Sequence, residues 1–187
     1  MKAFANVISS AAMSVALASS ALGAEMYPKM YDASYVYKSP AGVCNIRMIS
    51  DGNGKVREER DNGGLRSFSI TDYPSKTIYS VSDAIRLIKK APLKEAYEGP
   101  MNAELAKKRN AKYLGLKTIK GLTCHGWLFK QDGNEAEMWL EKSADFIVLS
   151  KSTAQDMTIE MELTSSSTAT PAPELFALPS NYRTVSQ

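Results

Sequence analysis

The sequence from Met157 to Thr164 reads Met-Thr-Ile-Glu-Met-Glu-Leu-Thr, so apolar and polar residues alternate there without a break. Successive side chains of a β-strand point to opposite sides of the sheet. The pattern therefore predicts a strand with one dry face and one wet face. The residues on the dry face are Met157, Ile159, Met161 and Leu163.

The same alternation occurs one hairpin earlier, between Glu135 and Glu141, where the apolar positions are Ala136, Met138 and Leu140. A sheet with one apolar side must cover that side with another part of the chain. We therefore expect a mainly β protein with a few helices, in which a separate segment covers a curved antiparallel sheet.

Turn sequences divide the rest of the chain into short strands. Asp51-Gly52-Asn53-Gly54 and Asp61-Asn62-Gly63-Gly64 are strong hairpin signals because such turns need positive φ. For residues 84–90 two alternatives remain, a helix capped by Ser82-Asp83 or a further strand, and the β-branched Ile85 and Ile88 favour the strand. Besides these, we predict strands over residues 33–38, 43–50, 55–60, 65–71, 76–81, 114–119, 122–130, 135–141, 146–152 and 157–165 and a short helical turn over 173–176.

Residues 91–112 interrupt the strand pattern and are the expected cover, or lid. Met101 to Lys112 contains no β-branched residue and follows Pro100, which predicts a helix. Basic residues concentrate in and before this segment, and they have two interpretations. They are either a solvated surface or a docking site for an anionic membrane surface or an acidic envelope protein. The residues that we single out for docking are Lys89, Lys90, Lys107, Lys108, Arg109 and Lys112.

The first residues of the chain have the layout of a secretory signal peptide. Lys2 precedes a small, apolar stretch, and Ala21-Leu22-Gly23-Ala24 offers small residues for cleavage. We predict a leader over 1–24, a single mature domain over 25–187, and a soluble periplasmic or secreted protein without a lipid anchor. An uncleaved membrane anchor is the alternative.

Cys44 and Cys124 are the only cysteines, and both lie in the predicted mature chain. An even number of cysteines in an exported protein favours a disulfide over metal or redox chemistry. The alternative is two buried free thiols.

Few residues suit catalysis or metal binding. His125 is the only histidine, whereas a structural zinc site needs about four Cys, His or acidic ligands. The Gly-x-Ser-x-Gly elbow of serine hydrolases is absent from the sequence. The glutamates of the predicted wet faces fit a solvated sheet. We therefore predict no enzyme activity, no catalytic residue, no metal and no cofactor, and the net charge of +3 argues against a nucleic-acid partner.

Two parts of the chain carry a resemblance to a known superfamily. One is the run from Leu116 to Cys124 with the hairpin around Met138-Trp139-Leu140, and the other is the ending from Pro173 to Tyr182. Together they resemble the periplasmic lipoprotein-carrier-like (LolA/RseB/LppX-like) superfamily, closest to a domain-of-unknown-function branch. The resemblance implies an incomplete antiparallel β-barrel whose open side is filled by helices, with a cavity that holds acyl chains in the carriers. No ligand residue of the carriers matches a position in this chain.

These observations lead to two functional hypotheses. The first is an exported binding protein for a lipid or another apolar small molecule, since methionines on the apolar faces suit an irregular apolar partner. The second is a ligand-free envelope interaction or sensor module that binds another protein. For the first hypothesis, the residues expected to line the cavity are Ile46, Met48, Phe68, Ile70, Met138, Leu140, Met157, Ile159, Met161 and Leu163.

Overall fold

The structure is a computed structural model, and it describes residues 27–131, 134–154 and 157–186. The predicted leader over residues 1–24 lies outside the described residues. Among the residues that are described, no helix has the length and apolar character needed to cross a membrane.

A single twelve-stranded sheet forms the body of the protein. Its order is β12-β6-β5-β4-β3-β2-β1-β11-β10-β9-β8-β7, and neighbours are antiparallel except for the parallel pair β6 and β12. The sheet is curved and open, so β12 and β7 are its two edges. The strands are β1 (Tyr31–Ser39), β2 (Gly42–Ser50), β3 (Lys55–Asn62), β4 (Leu65–Asp72), β5 (Thr77–Ser82), β6 (Leu87–Pro92), β7 (Ala111–Ile119), β8 (Leu122–Gln131), β9 (Asn134–Glu141), β10 (Ile147–Ala154), β11 (Met157–Ser167) and β12 (Arg183–Ser186).

The mainly β, open antiparallel architecture confirms the predicted fold class. For residues 84–90 the structure has a turn followed by β6, so the strand alternative is correct from Leu87 onward. The short strand β12, which the sequence did not predict, pairs with β6 through backbone contacts that extend the sheet by one strand.

The helix predicted over residues 101–112 is shorter in the structure, where α1 spans only Ala103–Lys108. Its first turn is capped by Asn102, whose Oδ1 accepts a hydrogen bond from the Leu105 backbone N–H over 2.9 Å. Asn110 then takes a left-handed conformation with φ of 51°, which stops the helix. Ala111 and the following residue pair with β8 instead, because edge pairing with β8 outweighs helix propensity.

The two sides of the sheet differ along its length. On the side that faces α1, Met48 of β2 lies opposite Glu58 of β3, which lies opposite Ser69 of β4. The row continues through Ser80 to Lys89. The inner side therefore changes from apolar to polar between β2 and β6.

The other side of β2–β6 carries apolar residues beneath the C-terminal segment together with charged residues such as Arg57 and Glu59. Ile49, Ile70, Val81 and Ile88 are buried there. A 3-10 helix, Pro173–Phe176, packs against β3, where the Arg57 Nη1 donates a hydrogen bond to the Leu175 carbonyl oxygen over 2.9 Å. This half of the sheet thus buries the side opposite to the one that faces α1.

The strand with strict alternation, β11, is buried progressively along its length. Met161 and Leu163 are buried in the main core with Tyr35, Ile46 and Val148. Ile159 is half-buried, and Met157 at the start of the strand is 38% exposed. A smaller cluster consists of Ala106 from α1 with Trp127, Met138 and Leu140. The helix therefore packs on β8 and β9.

The disulfide predicted between Cys44 and Cys124 is not formed in the structure, where both are free thiols. Cys44 lies on β2 and Cys124 on β8, and β1, β11, β10 and β9 lie between them in the sheet. Neighbouring strands are about 4.8 Å apart, whereas a disulfide requires the two Cα atoms to be within about 7 Å. An even cysteine count carries no information about this separation.

Candidate functional site

A cavity of about 150 Å³ lies between the inner side of the sheet and the segment that covers it. The sheet contributes residues of β2, β3, β4 and β9. The covering segment, defined here as residues 93–109, contributes Tyr97, Met101 and Leu105. Met48, Met138 and Leu140 line the opposite wall. We call it the lid cavity.

Tyrosines surround much of the lid cavity. The Tyr73 ring lies 5.9 Å from the Tyr97 ring and 6.5 Å from the Tyr27 ring, measured between centroids. Tyr31 contacts Phe146 in a tilted arrangement with centroids 5.6 Å apart. Burial raises the pKa of Tyr31 and of Tyr97, and the nearby Tyr73 raises both further. These two hydroxyl groups are therefore neutral at physiological pH.

Asp145, in the loop between β9 and β10, is the acidic group of the lid cavity with an unusual environment. Its Oδ2 accepts a hydrogen bond from the Met101 backbone N–H over 3.1 Å. Burial raises the pKa of Asp145 to about 6, although this hydrogen bond and the charge of Lys29 act in the opposite direction. The loop and the covering segment are thus joined by an acceptor whose charge changes near neutral pH.

Glu98 connects the first part of the covering segment to the end of α1 through two ion pairs. Its side chain is only 8% exposed and pairs with Lys108 over 2.7 Å and with Arg109 over 3.3 Å. Lys108 and Arg109 were candidates for docking, and the structure gives both a structural role. The other candidates are exposed but lie on separate elements, with Lys89 and Lys90 on β6, Lys107 on α1 and Lys112 on β7.

The residues predicted to line a ligand cavity are divided among several places. Met48, Met138 and Leu140 line the lid cavity. Ile46 is buried in the main core, and Phe68 lies at a surface groove of about 530 Å³. Ile70 lies on the far side of β4, beneath the C-terminal segment. Met161 and Leu163 belong to the main core, next to the half-buried Ile159, and Met157 is at the surface. The tyrosines and Asp145 were missed, although the Tyr-rich stretch 27–37 was a signal for the former.

A second groove, of about 350 Å³, follows the polar half of the inner side. Its floor carries the hydroxyl groups of Ser67, Ser69, Ser80 and Ser82, with Glu58 and Lys89 at its margins. Glu58 pairs with Arg60 over 2.6 Å. The groove therefore combines these hydrogen-bonding groups with the apolar side chains of Phe68, Ile85 and Leu87.

The edge strand β7 is the third candidate. No described strand pairs with its outer edge. Tyr113 is 46% exposed, Leu114 36% and Leu116 56%. Lys112 and Lys117 are the charged residues of β7, which contains no acidic residue.

His125, the one histidine, belongs to a surface contact beside this edge. The Tyr113 hydroxyl lies 3.0 Å from its Nδ1. Nowhere in the described ranges do three or more His, Cys, Asp or Glu residues gather in a way that could hold a metal ion.

Comparison with known proteins gives similarity of fold without similarity of sequence. No protein-family model matches the chain, and no curated protein matches it. An uncharacterized conserved protein from Thermus thermophilus superposes with a TM-score of 0.64 at 9% identity, over 86% of this chain and 91% of the other. PNGF-II gives a TM-score of 0.54 at 11% identity, over 85% of this chain but only 31% of its own.

MucB is also similar in fold. It superposes with a TM-score of 0.58 at 12% identity, over 85% of this chain and 60% of MucB. The complex of MucA and MucB from Pseudomonas aeruginosa gives 0.54 at 15% identity, over 83% of this chain and 58% of the other. This chain thus spans about three-fifths of MucB. The open, curved sheet and these similarities show that the chain has the LolA/RseB/LppX-like fold that the sequence resemblance implied.

Proposed function

We propose that the chain is a ligand-free interaction module of the bacterial cell envelope that binds an extended segment of another protein along the free edge of β7. The observation that carries this proposal is the edge itself. It combines an unpaired strand, three exposed apolar side chains and two lysines. Unpaired edges are templates for an added strand, in which backbone hydrogen bonds supply affinity and side chains supply specificity.

The size of the lid cavity supports a protein partner over a lipid. Ligand pockets of proteins generally measure about 300–1,000 Å³, and the lid cavity of about 150 Å³ is smaller. An engineered cavity of about 150 Å³ holds a molecule the size of benzene. The segment of the partner should be acidic, because β7 carries lysines and no acid.

The fold comparison and the predicted leader support the location and the class of partner. A protein of the same fold, MucB, is known in complex with MucA. Fold similarity alone does not transfer function, but the complex supports a protein as the class of partner. A leader over residues 1–24 would export the chain to the periplasm or beyond the cell.

The experiment is site-specific photo-crosslinking in the periplasm of a Gram-negative host. The photoreactive residue replaces Leu114 or Thr118. The matched control places it at Glu174, away from β7. A partner identified by mass spectrometry from the β7 positions is then purified and its Kd measured. Leu114→Glu with Leu116→Glu should weaken binding at least about tenfold, because these changes remove apolar contact and repel an acidic segment. A Kd unaffected by this double variant, or crosslinks equal to those of the control position, would contradict the proposal.

A second candidate function is the binding of a small apolar molecule in the lid cavity. The observation that favours it is the lining by Met48, Met101 and Met138, since methionines adapt to irregular apolar partners. Native mass spectrometry of protein isolated from the periplasm tests it. A small apolar molecule that copurifies with the wild type and is lost from Met138→Trp, which fills the cavity, would establish ligand binding.

A further inference from the structure

The exposed large apolar residues that lie away from β7 gather at one end of the sheet. Val43, Leu65 and Ile85 are 67%, 68% and 68% exposed. They belong to the hairpins β1–β2, β3–β4 and β5–β6, respectively. In an antiparallel meander, alternate turns fall at the same end, so these three hairpin tips point in one direction. Met157, at the start of β11, lies at this end as well, because β11 runs antiparallel to β1.

Each aliphatic tip residue has an exposed basic neighbour. Lys38 lies directly across the strand pair from Val43. Arg66 follows Leu65 and its side chain is 77% exposed, and Arg86 follows Ile85. A fourth exposed basic residue, Arg183, is beside this last hairpin, because its backbone N–H donates to the Arg86 carbonyl oxygen over 3.0 Å.

The acidic residues of the hairpin tips are engaged within the protein. Asp61 accepts a hydrogen bond from the Gly64 N–H over 2.8 Å and lies 3.5 Å from Arg66. Asp83 accepts a hydrogen bond from the Tyr182 hydroxyl over 3.0 Å. Asp61 is therefore paired with Arg66, whereas the hydrogen bond to Asp83 comes from a neutral hydroxyl and does not compensate its charge.

The neighbouring strands β11 and β10 add one acid and one further base to this end. Glu160 lies directly across from Lys38 on one side and from Lys151 on the other, so two lysines flank it. The basic residues of this end therefore outnumber its acids. The excess positive charge complements an anionic surface.

The spacing of the tips favours a fluid partner over a folded one. The three hairpins are consecutive in the sheet order, and strands are about 4.8 Å apart, so neighbouring tips are separated by about 10 Å. Side chains that project singly at this distance do not pack on one another. A protein partner would need a separate pocket for each. A lipid interface accepts them without matching pockets, while the basic neighbours contact anionic headgroups.

We propose that this end of the sheet, the tip surface (Val43, Leu65 and Ile85 with Lys38, Arg66, Arg86 and Arg183), binds the surface of an anionic lipid bilayer. The aliphatic side chains enter the interface and the basic side chains contact headgroup phosphates. The proposal is independent of the β7 edge, because neither Leu114 nor Leu116 belongs to the tip surface. A segment of another envelope protein could therefore be bound at β7 while the tips hold the module at a membrane.

Co-sedimentation with vesicles tests this proposal. Vesicles of phosphatidylcholine alone are compared with vesicles that contain about one-third phosphatidylglycerol, at low and high salt. The wild type should bind the anionic vesicles, and added salt should weaken this binding. The triple variant Val43→Ser, Leu65→Ser, Ile85→Ser should lose at least about tenfold in partitioning, because aliphatic burial is removed. Arg66→Gln with Arg86→Gln should reduce the preference for anionic vesicles.

The matched control is Leu114→Ser with Leu116→Ser, which removes exposed leucines from β7 and should leave vesicle binding unchanged. All of these positions are exposed, and circular dichroism verifies that each variant is folded. A wild type that does not sediment with anionic vesicles would overturn the proposal, as would an equal loss in the β7 control. Loss of protein binding at β7 with vesicle binding retained would affect only the proposed function.

Discussion

The Met101 backbone N–H donates a hydrogen bond to Oδ2 of Asp145 over 3.1 Å, and this contact ties the covering segment to the loop between β9 and β10. Asp145 is at φ of 63°, a left-handed conformation that Asp and Asn tolerate better than most residues. The closure of the lid cavity therefore depends in part on a carboxyl group whose pKa is raised to about 6.

Asp145→Asn should change the pH dependence of stability. The folded protein holds the Asp145 proton more tightly than the unfolded chain, whose reference pKa is 3.8. This contribution to the free energy of unfolding is therefore complete below pH 3.8 and is lost as the pH rises through about 6. Asn keeps an acceptor for Met101 but cannot ionise. From about pH 4 to about pH 7, urea unfolding should show the variant gaining stability relative to the wild type, by at most about 3 kcal/mol.

The matched control for Asp145→Asn is Glu95→Gln, at an exposed position of the same covering segment. Its free energy of unfolding should follow the wild type at every pH. A constant difference between Asp145→Asn and the wild type across this range would show that burial does not perturb the carboxyl group.

Arg57→Lys should loosen the C-terminal segment. The Arg57 side chain is only 13% exposed. Its Nε donates to Glu59 over 2.6 Å, and its Nη1 donates to the Leu175 carbonyl oxygen. The guanidinium group lies 3.5 Å from the centre of the Phe68 ring. Lysine lacks the planar fork that makes these contacts together. We expect a loss of about 1–3 kcal/mol in the free energy of unfolding and faster proteolysis within residues 168–186. Arg66→Lys, whose side chain is 77% exposed, should change the free energy of unfolding by less than about 1 kcal/mol.

Gly126→Ala should destabilise the junction of β8 and β9. A Cβ at this position would lie 2.6 Å from two ring atoms of Trp139, and the indole would have to move away from Cys124 and its neighbours in the core. Overpacking of this kind costs about 1–3 kcal/mol. Near-ultraviolet circular dichroism and urea unfolding measure the effect. Gly63→Asn is the control, because that turn position has open space and φ of 61°, which Asn accepts. If Gly126→Ala unfolds like the wild type, Trp139 is less fixed than the structure shows.

The sequence predicted the strands well where one side of the sheet is wet, because alternation reports the difference between the two sides. Met161 and Leu163, both predicted on the dry face, are indeed buried. Alternation cannot say which side a strand turns toward the lid cavity. Ile70 and Met48 were assigned to one surface, but the pairing of Met48 with Glu58, and of Glu58 with Ser69, puts Ile70 on the opposite side. Register arises from pairings between distant strands, which a local pattern does not contain.

Other parts of the site depend on contacts across the chain. Met101 and Asp145 are hydrogen-bonded although they are 44 positions apart in the sequence, and no local motif marks either residue. The end of α1 also depends on a distant contact. The residues after Pro100 have a helix-forming composition up to Lys112, and only the pairing of Ala111 with Phe129 shows why the last of them belong to β7. The edge position of β7 follows from the order of the whole sheet. The candidate docking strand therefore could not be recognised from residues 111–119 alone.

The two cysteines should differ sharply in reactivity. Burial raises the pKa of both thiols. Cys44 is half-buried, whereas Cys124 is fully buried. The Sγ of Cys124 donates a hydrogen bond to the Leu122 carbonyl oxygen over 3.4 Å. In the folded protein a thiol reagent should modify Cys44 slowly and leave Cys124 unmodified. Denaturation without reductant should expose two titratable thiols.

Cys124→Ser should lower the free energy of unfolding by about 1–3 kcal/mol, because a hydroxyl is less favourable than a thiol in the core. Cys44→Ser should lower it by less. A denatured, non-reduced protein without free thiols would mean that the strands come closer than the open sheet allows, and the separation of β2 from β8 would then be wrong.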